Sequence, residues 1–133
     1  PGWHIYKAYA EMAGVRLATM TDSPKLHALA SFDKASGTLQ LLLGKYEDYS
    51  TQDTTVMLKN AARVFSGGQG KNLFLCAEQI PDTGSGPLAS TVVTMDRTLP
   101  LPDNDISFTL PQFYHSDAYR VRISPTSGCK PRD

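Results

Sequence analysis

After Gly14, short runs of β-favouring residues alternate with clusters of turn formers about every ten positions, and few folds accept a chain punctuated in this way. The runs predict strands over 16–21, 26–33, 38–45, 54–60, 73–78, 91–99, 105–110 and 118–124. The breaks at 22–24, 34–37, 66–70 and 82–87 are rich in Asp, Ser, Gly and Pro. About eight strands at this spacing predict an all-β fold, a two-sheet antiparallel β-sandwich. The chain length of 133 residues suits one domain and leaves no room for a second packed core. A single sandwich over 1–133 is therefore expected, with a helical junction segment over 1–14 and an irregular tail over 125–133.

Alternation assigns faces. In 118–123, Tyr119, Val121 and Ile123 share one side and Arg120 and Arg122 the other, so the arginines are expected to face water. Val56 and Leu58 lie together against Thr55, Met57 and Lys59, as in a half-buried strand. Residues 39–43 are apolar on both sides except at Gln40, as in a central strand covered twice. Residues 2–13 read differently: His4, Lys7 and Glu11 repeat at helical spacing and form one narrow polar stripe. Trp3, Tyr6, Tyr9 and their apolar neighbours cover more than half of that helix, more than one sheet surface needs. Gly14 then supplies a left-handed stop.

Thirteen basic and thirteen acidic residues cancel, so no global field gathers nucleic acid or a membrane surface, and neither is an expected partner. The apolar runs are far shorter than the roughly 20 residues that span a bilayer. The chain opens on Pro1, which reads as a processed or excised piece of a longer product. Cys76 and Cys129 match no zinc or redox spacing. A disulfide between them would close about 54 residues and contribute roughly 4 kcal/mol on the chain-entropy model. A buried thiol beside a free tail thiol fits the sequence equally well.

The segment Trp3-His4-Ile5-Tyr6-Lys7-Ala8-Tyr9-Ala10-Glu11-Met12-Ala13-Gly14, running into Val15-Arg16-Leu17, resembles the junction at which the catalytic barrel of (β/α)8 retaining glycoside hydrolases leads into a C-terminal β-sandwich. The stretches 29–33, 37–44, 108–111 and 118–121 are similar to that accessory sandwich, with xylosidase and arabinofuranosidase relatives, including family 39, the nearest match. The resemblance spans nearly the whole chain through loose patterns of apolar, Gly and Pro residues. It implies a secreted, non-catalytic module whose Trp3, Tyr6 and Tyr9 helix packs on an upstream barrel, where the catalytic carboxylates reside.

The residues themselves offer no catalytic centre. Glycosidase chemistry needs two carboxyl groups held about 5 to 9 Å apart, and Glu47 with Asp53, or Asp103 with Asp105, lie in stretches where acids cap turns. His115-Ser116-Asp117 are consecutive and cannot converge as a nucleophilic triad, so they read as a loop. The scattered His4, His27 and His115 match no metal motif, the Gly-rich stretch 66–72 lacks a phosphate-loop ending, and no cofactor is expected. The strongest binding candidate is the loop carrying Tyr46, Glu47, Asp48, Tyr49, Gln52 and Asp53, with Tyr114 and His115 in a second aromatic loop. Sugars stack on such rings while carboxylates and amides bond their hydroxyls, which makes an oligo- or polysaccharide the expected ligand; an ordinary polar loop with one tyrosine in the core fits the same residues, and the module's role is then to support the catalytic barrel. A free-standing lectin-like or protein-interaction sandwich is the alternative, and a small glycosidase with an unrecognised carboxylate pair is the second.

Overall fold

In the computed structural model, the described residues are 14–45, 51–66, 72–80, 91–113 and 117–129. Among the described residues there are eight strands: β1 (Val15–Leu17), β2 (Leu26–Asp33), β3 (Thr38–Lys45), β4 (Gln52–Leu58), β5 (Asn72–Ile80), β6 (Val92–Pro100), β7 (Ile106–Phe113) and β8 (Ala118–Ser124). A four-residue helix, α1 (Ala61–Val64), follows β4. The expected all-β sandwich is therefore the observed architecture. The predicted helix over 2–13, with Trp3, Tyr6 and Tyr9, lies outside the described residues.

The strands form a six-stranded sheet in the order β1-β2-β3-β8-β5-β6 and a two-stranded sheet, β4-β7, with every pairing antiparallel. The β2–β3 turn is held by Asp33, whose carboxylate accepts from the Ala35 amide and the Ser36 hydroxyl, while Gly37 adopts φ 69. At Gly14, φ is 92, and a Cβ there would fall on the carbonyl of Phe32, so only glycine fits the entry to β1.

The core lies between the sheets. Leu39, Leu41, Leu43, Leu73, Leu75, Tyr119, Val121 and Ile123 come from the large sheet and meet Val56, Phe108, Leu110 and Phe113 from the small one. Phe65, just beyond α1, plugs one end edge-on against Phe32, with ring centroids 5.7 Å apart. Burial of a large apolar side chain contributes about 1.5–3 kcal/mol, so this interleaving supplies most of the drive to stack the sheets.

Three expectations are corrected. β1 stops at Leu17 and does not run to Thr21, because its ladder with β2 ends at Leu17–Ala30 and the Thr19 hydroxyl then takes the Ala28 carbonyl. β4 ends at Leu58 and not at Asn60, which adopts φ 57 and opens α1 with its amide on the Asp105 carboxylate. Arg120 and Arg122 do not face water. Arg120 is only 6% exposed and pairs with the buried Glu78 at 3.9 Å. Arg122 is half-buried and donates to the Gly128 carbonyl at 2.7 Å. β8 is buried on both faces along nearly its whole length, and alternation alone cannot separate a wet face from one covered over an ion pair.

Residues 125–129 are irregular but firmly docked. Cys129 is joined to Cys76 of β5, and Thr126 bonds the Ser124 hydroxyl.

Candidate functional site

The strand registers bring the strand ends that flank the two aromatic stretches to one end of the sandwich. Gly44 of β3 lies opposite Ala118 of β8, and Gln52 of β4 lies opposite Phe113 of β7. The crossovers β3 to β4 (46–51) and β7 to β8 (114–117) therefore leave the two sheets side by side. Tyr46, Glu47, Asp48, Tyr49, Tyr114 and His115 fall in these crossovers but outside the described residues. Of the predicted binding residues, Gln52 and Asp53 are described.

The roots of the crossovers are tightly built. The Lys45 ammonium donates to the Phe113 carbonyl at 2.9 Å and lies 5.4 Å from the centre of the Phe113 ring. Phe113 is fully buried and stands edge-on to Tyr119, with centroids 5.0 Å apart. The Tyr119 hydroxyl donates to the Pro111 carbonyl at 2.8 Å, so its polar tip is satisfied while its ring fills the core. This chain of contacts fixes where both crossovers start.

Gln52 and Asp53 are exposed at the start of β4, beside a register irregularity between Gln52 and Thr54. One oxygen of Asp53 accepts from the Gln112 amide at 3.1 Å, and Gln112 adopts φ 48. A non-glycine residue in that conformation needs local support, and Asp53 provides it. Its carboxylate thus holds the β4–β7 irregularity together.

Sequence reasoning passed over the residues on the other side of this end. Asp117, read as part of a loop, is buried and accepts from the Gln79 side-chain amide at 2.6 Å. A shallow hollow of about 250 Å³ opens there, lined by His27, Leu29, Leu42, Gly44, Lys45 and Asp117 among others. A Cβ added at Gly44 would meet nothing within 4 Å, so the glycine leaves its floor open. The hollow is smaller than ordinary ligand pockets, which run from about 300 to 1,000 Å³. No sequence signal marks Gln79 and Asp117 as partners, because they meet only through the β5–β8 pairing.

Other carboxylates hold structure. Asp105 accepts from the Asn60 amide at 2.9 Å and lies 3.4 Å from the Lys59 ammonium. The backbone hydrogen bond from Asn60, helped by Lys59, lowers its pKa below the ordinary 3.8. Glu78 accepts from the Thr91 hydroxyl and pairs with Arg120. Among the described residues there is no group of three or more His, Cys, Asp or Glu side chains placed to hold a metal ion. No described helix is long and apolar enough to cross a membrane.

No family model matches the chain, and no curated protein matches it. Solved structures do. N2152 from Neocallimastix frontalis superposes with a TM-score of 0.79 at 20% identity, covering 94% of this chain and 30% of that one. The GH39 enzyme from Xanthomonas axonopodis pv. citri gives a TM-score of 0.66 at 14% identity, covering 95% of this chain and 30% of that one. At such identities the likeness is one of fold. The sandwich is shared with part of these larger proteins, and the chain spans 30% of their length.

Proposed function

We propose that the chain is the non-catalytic β-sandwich module of a secreted glycoside hydrolase and that it binds carbohydrate at the end where crossovers 46–51 and 114–117 meet. The observation that carries the binding reading is the pair of registers Gly44–Ala118 and Gln52–Phe113, which sets the roots of both aromatic loops side by side. Module status is supported by the fold match to a GH39 enzyme over 30% of that chain. Asp33, Asp53, Glu78, Asp105 and Asp117 are each engaged in structural hydrogen bonds or ion pairs, which supports a role without chemistry. The Cys76–Cys129 disulfide suits an oxidising, extracellular compartment.

Isothermal titration against xylan, arabinan, glucan and galactan oligosaccharides tests the binding. One oligosaccharide class is expected to bind, and Tyr46→Ala, Tyr49→Ala and Tyr114→Ala are each expected to weaken it roughly tenfold, as losing one aromatic platform does. No heat with any sugar in the panel removes carbohydrate binding and leaves support of a catalytic barrel as the module's role.

A further inference from the structure

The segment after β8 turns back across the outer face of the large sheet, the face directed away from β4 and β7. Leu73, Leu75 and Ala77 of β5 point into the core, so Phe74 and Cys76 stand on that outer face. The ring of Pro125 lies against the turn at Gly37, 3.1 Å from where a Cβ on that glycine would be. A Cβ on Gly128 would lie 3.1 Å from the Asp96 carboxylate of β6 and 3.7 Å from Phe74 of β5. The Gly128 carbonyl accepts from Arg122 of β8 at 2.7 Å. Cys129 is bonded to Cys76 of β5, with its sulfur 3.6 Å from the Met95 carbonyl of β6. Residues 125–129 thus strap β8, β5 and β6 together.

Such a strap closes on one strand order. Cys76 stands opposite Arg122 in the β5–β8 ladder, and Arg122 holds the residue just before Cys129. With β8 seated, only the short stretch from Arg122 to Cys129 separates the two thiols, although they lie 53 residues apart in sequence. If β3 paired directly with β5, β8 would be shut out, and Cys129 would hang on a long free segment. The effective concentration of two linked groups falls as the free chain between them lengthens. Cys76 and Cys129 are the two cysteines of the chain, so within it the choice is between this bond and none.

We propose that the 125–129 strap is a check on strand order: its disulfide forms once β8 is seated between β3 and β5, and it then seals that order against direct β3–β5 pairing. Closure is a two-electron oxidation and needs a small-molecule disulfide such as oxidised glutathione. One cysteine thiolate attacks that disulfide and is capped, releasing a first glutathione thiol. The thiolate of the other cysteine then attacks the capped sulfur and expels the second. One S–S bond breaks and one forms, and the two protons of the protein thiols end on the two glutathiones.

Refolding of the reduced chain from urea into a glutathione redox buffer tests the idea. Timed samples are pulse-labelled at their amides, quenched in acid and read by mass spectrometry, so that the bond and the backbone protection are seen on the same molecules. The bond is expected in molecules whose β8 amides are already protected. In concentrated urea the effective concentration of the two thiols is expected to be roughly 100-fold lower than in native buffer. Arg122→Met frees the strap from β8 and keeps both cysteines, and is expected to slow closure about tenfold. Bonded molecules with unprotected β8 amides overturn the proposal. So does a Cys76→Ala/Cys129→Ala chain that regains β5–β8 protection as fast and as completely as the parent in the same buffer, because the bond then selects nothing.

Discussion

Lys45, the last residue of β3, donates to the backbone carbonyl of Phe113, the last residue of β7, across 68 residues of sequence. One ammonium thereby ties the large sheet to the small one at the end where both aromatic crossovers begin. Replacing it by a residue of similar length, Lys45→Met, keeps the stem and removes the charged donor. The expected loss is about 1 to 2 kcal/mol in urea unfolding, the scale of a part-buried hydrogen bond to a charged group. Oligosaccharide affinity is expected to fall further than stability explains, because the crossover roots shift.

The Glu78–Arg120 pair is a second test of buried polarity. Glu78→Gln leaves the guanidinium enclosed without its counter-charge, and a loss of roughly 3 kcal/mol is expected by thermal or urea unfolding. The double variant Glu78→Leu/Arg120→Met is expected to recover much of that loss, since replacing both members removes the uncompensated charge. A double variant as unstable as the single one would show that packing, and not charge, sets the cost.

Reduction of the Cys76–Cys129 disulfide is expected to lower stability by up to about 4 kcal/mol, the chain-entropy value for a loop of this length. The sequence separation is 53. Far-ultraviolet circular dichroism during urea unfolding, with and without reductant, measures the difference. Arg122 is expected to become more accessible at the same time, because its partner Gly128 sits one residue before Cys129.

Acid sensitivity follows from Asp105. Its folded pKa is depressed, chiefly by the Asn60 amide, so the contribution is present above the ordinary value of 3.8 and is lost as pH falls through the lower folded value. The variant Asp105→Asn is expected to show a shallower loss of stability below pH 3.8 than the parent, read from unfolding midpoints across acidic buffers.

Strand positions were legible because each run carries its own turn chemistry at both ends. β2, β3 and β8 occupy the expected residues, since Asp33 and Gly37 or the alternation of Tyr119, Val121 and Ile123 act locally. α1 was not legible: Ala61–Val64 is a single turn, too short for helical periodicity, and it exists because Asn60 finds Asp105 forty-five residues away. The surroundings of Arg120 were equally hidden, as they depend on β8 pairing with β5, a register that no local pattern encodes. At the candidate site, the sequence named Gln52 and Asp53 for their hydrogen-bonding groups. The structure assigns Asp53 to Gln112, a partner fixed by tertiary pairing.

The position of β8 also dictates an order of events during synthesis. β8 follows both hairpins in the chain yet is inserted between β3 and β5, so the β2–β3 and β5–β6 hairpins form early but cannot join until it arrives. Until then two half-sheets must wait with bare edges, and wrong pairing between those edges is the hazard that this topology builds into folding.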